Sequence, residues 1–392
     1  MKPSGSHGKR GKRKVLAMAL LVLVCILSLW NKIRYLRLPL QFTWTTRYPP
    51  PKILERGELF HLIKTRFMQH QAHLNHLARA RLELFKVFCL PSMVEQTNRE
   101  FFWLISVDPD LPKDILSELV RLVQPYPHFY VTLTTDNLRP ASGLHGIGKE
   151  IITGEVNVLR TNLGRWKRLA ILETQLDADD ALHIRYVEDL QRRAKDAFFR
   201  KNKGPDWMYW CVHQDLEWHW IHLTGSPGIL KPSRSFVGKQ KCYTPGMTLG
   251  MRRGQIKGVL DVPHSQLIQE LTESKTKCGK RTQGLDCVNF VDTLEFPALR
   301  SRTPTSASMV GVQVQKKIKS SVNNSSQMLF QKASADFGFQ EARVLAVNQH
   351  LSDNMALIVK DALEGQCSHG HSCRHGAKDA LELLAKLYNL GN

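Results

Sequence analysis

Three apolar runs in the first half of the chain each close on an acid: FFWLISVD (101–108), HFYVTLTTD (128–136) and RLAILETQLDADD (168–180). A run that is apolar at nearly every position, rather than at alternate ones, describes a strand buried on both faces. Such burial is the habit of parallel sheets covered by helices. LFHLIKTRF (59–67) is a further strand candidate. Helical patterns fall between and around these runs. AHLNHLARARLELFKVF (72–88) places Leu74, Leu77, Leu84 and Phe88 at helical spacing, and LPKDILSELVRLVQ (111–124) begins with the proline that helix starts tolerate. IRYVEDLQRRAKDAFF (184–199) sets Ile184, Val187, Leu190, Ala194 and Phe198 on one face. The alternation predicts an α/β fold, a mostly parallel sheet flanked by helices. Ligands of such sheets sit beyond the carboxyl ends of the strands, so Asp108, Asp136 and the acids at 177–180 fall where a site is expected.

With 392 residues, 42% of them hydrophobic, the chain can bury one large core or two modest ones. A net charge of +20 admits nucleic acid, anionic lipid, acidic glycans or nucleoside diphosphates as partners. The basic residues are dispersed, and no zinc-finger, basic-zipper or RNA-binding fingerprint accompanies them, which argues against nucleic acid. The amino terminus adds a membrane. KRGKRK (9–14) precedes the 16-residue run VLAMALLVLVCILSLW (15–30), followed by Lys32, Arg34 and Arg37. The run is short against the roughly 20 residues of a typical span. It is long for a cleaved signal core of roughly 7–15, and no small-residue cleavage site follows it. The excess of basic residues before it predicts a type II signal anchor. Residues 1–14 are then cytosolic, 15–30 span the membrane, and the rest lies in the lumen of a thin, Golgi-type membrane. Residues 31–58, with PPP at 49–51, form a stem. Seven of the eight cysteines lie beyond Cys25 and are free to form disulfides there. Two overlapping sequons at Asn323 and Asn324 agree with an exposed lumenal loop.

The segment ETQLDADDALH (173–183) carries the chemistry. Asp177 and Asp179 are two apart, so an extended segment points both carboxylates one way. With little basic sequence adjacent, they repel by roughly 1 kcal/mol or more. A divalent cation relieves that repulsion. Hard oxygen ligands favour Mg²⁺ or Mn²⁺, ions that keep positions open for phosphate oxygens. The bland alternative is an acidic turn in which Asp179 or Asp180 caps the following helix.

TRF (65–67), ARLELFKVFCLPSMVEQT (80–97), FFWLISVDPDLP (101–112) and ETQLDADDALH (173–183) together resemble the putative rhamnosyltransferase family. CYTPGMTLG (242–250) and DVPHSQL (261–267) are similar to its carboxyl-terminal part, so the resemblance covers roughly residues 60–270. It implies a GT-A-like, Rossmann-like fold and transfer of a sugar, rhamnose by the family's label, from a nucleotide-diphosphate donor to a glycan or glycoconjugate acceptor. Asp177 and Asp179 are then implied to hold the metal and the donor diphosphate, with Asp180 supporting. Thr65 and Arg66 are implied to line the nucleotide site, and Asp108 to accept hydrogen bonds from base or ribose. Arg66 as a surface charge and Asp108 as a loop cap are the plain alternatives. The chain has Gln175 where such proteins commonly carry arginine.

Inverting transfer needs a base for the acceptor hydroxyl. Asp261 is the first candidate, with Asp215 and Glu217 of QDLEWHW (214–220) as alternatives. His264 could share a helical face with Asp261 and complete the metal's coordination, or be a structural histidine. WMYWCVHQDLEWHW (207–220) is either an acceptor platform for sugar stacking or a core hairpin. The expected catalytic domain is 59–300. A flexible Ser-rich connection is expected over 301–330, then a helical region over 331–392 whose CSHGHSCRH (367–375) could hold a metal or a disulfide. The competing classes are an inactive or glycan-binding lumenal homologue and an anchored sulfotransferase, the latter weakened because SGLHGIGK (142–149) lacks a strand–loop–helix setting.

Overall fold

A computed structural model describes residues 48–135, 150–200, 204–222, 225–234, 242–252, 264, 266–303, 305 and 325–367. The chain divides into two compact units, Met1–Thr46 and Arg47–Asn392, and all described residues belong to the second. The apolar run 15–30, Asp136, Asp261, Asn323, Asn324 and the cluster beyond Cys367 lie outside them. Among the described residues no helix is long and apolar enough to cross a membrane.

The apolar runs form strands as expected. β1 (Leu59–Phe67), β2 (Phe102–Val107), β3 (Phe129–Leu133) and β4 (Ala170–Gln175) lie side by side in the order β3-β2-β1-β4, all parallel. Side chains alternate between two cores. Ile63, Trp103, Ile105 and Leu172 fill one face, and Phe60, Leu62, Phe102, Leu104 and Ile171 the other. That two-sided burial is why the runs show no alternation of polar and apolar residues. Beyond β4 the sheet continues through β9 (Tyr243–Met251), β6 (Trp207–Val212) and β10 (Val288–Phe290). Only β9 runs against the rest, pairing antiparallel with both β4 and β6. The fold is therefore mixed α/β around a large, mostly parallel sheet. At Gly250 of β9 any Cβ would overlap the ring of Trp210, so glycine is what permits the close approach of β9 and β6.

Helix α1 (Asn75–Leu84) connects β1 to β2 and runs on through a π-helical turn, Phe85–Cys89, into Leu90–Val94. It lacks an acid in its first turn. The missing cap comes from 285 residues away, where Asp361 Oδ2 accepts from the backbone N–H of His76 (2.7 Å) and Leu77 (3.1 Å). Asp361 belongs to α8 (Met355–Cys367), the last of three carboxyl-terminal helices with α6 (Ser325–Phe337) and α7 (Glu341–Asp353). Within the region expected to be helical over 331–392, α7 and α8 are separated at Asn354. Phe337, Phe339, Val344, Leu351 and Ile358 join the core that α1 covers, so these helices are built into the main unit rather than appended. Helices α2 (Lys113–Val123), α3 (Val156–Gly164), α4 (Tyr186–Lys195) and α5 (Leu267–Ser274) complete the layers.

A second sheet, not foreseen from the sequence, has the order β5-β11-β7-β8. Its strands are β5 (Ala181–Leu182), β7 (Gln214–His219), β8 (Ile229–Arg234) and β11 (Ala298–Arg302). The aromatic stretch 207–220 supplies β6 to one sheet and β7 to the other, with His213 between them, so it is not a hairpin. Its five Trp and Tyr rings (Trp207, Tyr209, Trp210, Trp218 and Trp220) are all buried, which rules out a sugar-stacking platform. Ser301 and Arg302, expected in a flexible connection, instead end β11, and Thr303 and Thr305 beyond them are buried. Disulfides join Cys211 to Cys242 and Cys278 to Cys287, while Cys89 is free and buried.

Candidate active site

The strand order reverses direction between β1 and β4: the chain moves outward one way through β2 and β3, and the other way through β4. Neighbouring loops part at such a point and leave a crevice beyond the carboxyl ends. A cavity of about 470 Å³ lies there. Arg66 and Met68–Gln71 line it from the end of β1, and Asp177–Asp180 from the end of β4. Arg81 of α1, Thr244 of β9, His264 and Arg300–Arg302 of β11 close the other sides.

The loop after β1 is tightly wound. Met68 (φ 55°) and His70 (φ 59°) adopt the left-handed conformation that side-chain-bearing residues disfavour. Asp108, buried at the end of β2, holds it: Oδ2 accepts from His70 N–H at 2.9 Å while Oδ1 accepts from Asp110 N–H at 3.0 Å. Asp108 does not line the cavity, so its geometry is that of a loop fastener rather than a ribose ligand. Thr65 is also absent from the lining. It is buried beneath, where its hydroxyl accepts from Trp103 Nε1 at 2.9 Å.

The acid loop is held by Ser92, Gln96 and Thr97. Ser92 Oγ accepts from Leu182 N–H (3.3 Å). Gln96 donates to His183 O (2.9 Å) and accepts from Val187 N–H (3.1 Å), and Thr97 N–H donates to Ile184 O (2.8 Å). The LPS…QT residues thus clamp the chain immediately after Asp177–Asp180. Asp180 is tied further by Ser301 N–H, 2.8 Å from Oδ1.

Electrostatically the loop is not bare. Burial raises the Asp179 carboxyl above its usual range; Arg81 opposes this and Asp177 adds to it. Asp180 is pushed up further by burial and by Asp179 and Asp177, against Arg300. The sequence suggested little basic character near the acids, but two arginines from distant segments supply it. Arg81 Nη1 donates to Gln71 Oε1 (2.7 Å) and Met68 Sδ (3.3 Å), and Nη2 donates to Thr305 O (2.9 Å). Burial lowers its pKa while Asp179 and Asp177 act to keep it charged. His264 lines the cavity with its ring 3.2 Å from Thr244 Oγ1, and burial with Arg300 and Arg66 depresses its pKa. Among the described residues no three His, Cys, Asp or Glu side chains assemble into a metal-holding group, so the set Asp177, Asp179 and His264 is not brought together as one.

Asp215 and Glu217, the alternative bases, stand outside the cavity lining. They sit on β7 opposite β11, with Glu217 in register with Arg300. Asp215 Oδ2 is 3.5 Å from Arg300 Nη1. Glu217 Oε1 accepts from Arg302 Nε at 2.8 Å and also meets its Nη2, while Oε2 is 3.1 Å from His219 Nε2. Burial pushes Asp215 up to about 6, with Arg300 opposing. Burial would raise Glu217 too, yet its hydrogen bond with His219 and the charge of Arg302 hold it at about 2. A carboxylate held that low is a poor proton acceptor. Glu217 works here as the anchor of Arg302, whereas Asp215 only faces Arg300. Arg81, Arg300 and Arg302 are the lining arginines that sequence reasoning missed.

Residues 75–205 match the family model described as Putative rhamnosyl transferase, a span that contains Arg81, the LPS…QT clamp and the acid loop. The chain is also similar to solved structures of S. aureus TarS. One TarS chain shares 10% identity at a TM-score of 0.28, covering 86% of this chain and 49% of that one. TarS 1–349 in complex with UDP shares 10% identity at a TM-score of 0.30, covering 86% and 92%. This chain therefore spans about half the length of the first of them. No curated protein matches the chain.

Proposed function

We propose that the protein is a glycosyltransferase of GT-A-like organisation that transfers a sugar from a nucleotide-diphosphate donor to a glycan or glycoconjugate acceptor. The observation that carries this reading is the convergence of the acid loop after β4 with the wound loop after β1 on one polar cavity at the sheet's switch point. The match of residues 75–205 supports it and makes a rhamnosyl donor the first to test.

Asp177 and Asp179 present hard carboxylate oxygens to the cavity, a donor pair suited to Mn²⁺ or Mg²⁺ that leaves other positions to phosphate oxygens and water. A bound ion would supply charge neutralisation for the departing diphosphate. The protein's own part is to fix the reactants. Asp108 sets the β1 loop and the LPS…QT clamp sets the acid loop, so both walls of the cavity are fixed before the reactants arrive. As the acceptor oxygen forms its bond to that carbon, the bond to the diphosphate oxygen breaks and the hydroxyl proton passes to a base. With Asp215 and Glu217 outside the cavity lining, Asp261 is the proposed base. The two disulfides agree with an oxidising compartment. Together with the run 15–30 they support a type II Golgi membrane protein with a lumenal catalytic unit.

The test is consumption of a panel of nucleotide sugars by the purified chain with Mn²⁺. At least one donor should be turned over by the wild type and by neither Asp177→Asn nor Asp179→Asn. Asp261→Asn should retain nucleotide binding and lose about 10²–10⁴-fold in transfer. If no donor is consumed, or if the loop variants consume it as the wild type does, the reading fails.

A further inference from the structure

We infer that Arg81 and Arg300 form an anion cradle that grips the donor's diphosphate without help from a metal ion. This deepens the reading above and rests on it for the identity of the ligand.

The cavity is lined by four arginines (Arg66, Arg81, Arg300, Arg302) against three aspartates. These arginines differ in how far the protein has already used them. Arg302 is committed, its Nε and Nη2 both held by Glu217 Oε1. Arg81 spends three of the five donors of a guanidinium on described partners. Those partners come from the loop after β1 and the segment after β11, so the group is fixed by two walls of the cavity at once. Arg300 is steadied rather than consumed. Its guanidinium carbon lies 4.9 Å from the centre of the Tyr243 ring, and Nη1 stands 3.5 Å from Asp215, too long for a good hydrogen bond. Burial acts to lower its pKa, but Asp180, Asp215 and Glu217 more than offset this and keep it charged.

The result is two preorganised planar forks beside the acid loop, Arg81 near Asp179 and Asp177, and Arg300 near Asp180. The donors these groups keep for the cavity are free for a ligand, and the one that satisfies planar forks best is a phosphate or diphosphate, through paired N–H···O bonds. The acids beside them serve a second purpose. They keep the arginines charged and in place before the ligand arrives, so little reorganisation is needed on binding.

Titration calorimetry of the full chain in detergent, in EDTA, with inorganic pyrophosphate and separately with UDP, tests this. Both probes should bind. Arg81→Ala and Arg300→Ala should each weaken pyrophosphate at least tenfold, and Arg81→Lys, which keeps the charge but not the fork, should recover only part. Arg99→Ala, just before the amino end of β2 and outside the cavity lining, should bind as the wild type does. If either alanine variant fails to fold by circular dichroism, the corresponding lysine variant decides. Absence of pyrophosphate binding in EDTA, or unchanged affinity in folded variants of both arginines, overturns the inference. Donor consumption with Mn²⁺, measured in parallel, separates the failures. Turnover without metal-free binding removes the cradle alone. Metal-free binding without turnover of any donor keeps an anion site and removes the transferase.

Discussion

Two sets of buried charges cross between neighbouring strands, and they serve different ends. Lys64 of β1 and Glu173 of β4 meet at 2.9 Å with 8% and 2% of their side chains exposed. They lie inside the sheet and are not part of the cavity lining. The acids of β7 and the arginines of β11 pair across strands in the same way, yet Arg300 and Arg302 open onto the cavity. A sealed pair can only hold strands together, since each charge is satisfied by the other and neither reaches a ligand. A pair with one end open offers a cation whose counter-charge sits behind it. Of these two sets, the contact at Lys64 is closed within the scaffold and the ladder on β7 and β11 opens onto the cavity.

The largest effect expected is at the sealed pair. Lys64→Met leaves Glu173 buried and unpartnered, which typically costs about 3–5 kcal/mol. Chemical denaturation should show that loss, while pyrophosphate affinity of the folded fraction stays near wild type. A folded variant of ordinary stability but weakened ligand binding would erase the contrast between the two sets. Next comes the acid loop. Asp177→Asn and Asp179→Asn should each lower transfer by about 10²–10³-fold through lost charge stabilisation. Burial raises the Asp179 carboxyl, so an uncharged amide there should leave the melting temperature equal or higher. A drop of several degrees would mean that the acids hold the loop rather than a ligand.

How far the sequence disclosed this follows from the range of the contacts involved. β1 emerged with the bounds read from LFHLIKTRF, because burial on both faces leaves its mark residue by residue. The acid loop was legible for the same reason, as a charged break directly after an apolar run. Arg81 was hidden: on an amphipathic helix one arginine looks like any polar position, and only the fold turns it toward Asp177 and Asp179. Arg300 and Arg302 were hidden more deeply. Their partners Asp215 and Glu217 lie 85 residues upstream on a strand of the second sheet, and parallel pairing of that reach leaves no local pattern. The same gap made the two acids look like free bases and the Trp-rich stretch look like a hairpin. Asp108 was left with two readings, ligand contact or loop cap, and its bonds fit the second, since a strand-end carboxylate can fasten a loop or bind a ligand with the same sequence.

Within the ladder, Glu217 should show the stronger dependence on acid. Its folded pKa is depressed to about 2 from an ordinary 4.5, so its contribution is present above the unfolded value and lost as pH falls through the folded one. Glu217→Gln should therefore cost about 2–3 kcal/mol at neutral pH. That penalty should shrink steadily below about pH 4, as protonation removes the wild type's advantage. Denaturation at several pH values measures it. A penalty independent of pH would show that Glu217 contributes packing and not charge.

The smallest effect separates the two acids of β7 from each other. Asp215 lies two residues from Glu217 on the same strand, but its carboxyl is raised to about 6 from 3.8. A raised carboxyl has the opposite sign: the folded state favours the protonated form, and that advantage is full below the unfolded pKa and lost as pH rises through about 6. Asp215→Asn mimics the favoured neutral form at every pH. Relative to wild type it should be nearly neutral at about pH 4, gain stability as pH rises from there to about 6 and level off above, by about 1 kcal/mol once the loss of a charge partner for Arg300 is offset against it. Melting temperatures of the two proteins, taken side by side from acid to neutral pH, give the difference directly. A gap that closes with rising pH would mean that Asp215 is held ionised in the fold, and the open end of the ladder would then be as firmly paired as the sealed contact at Lys64.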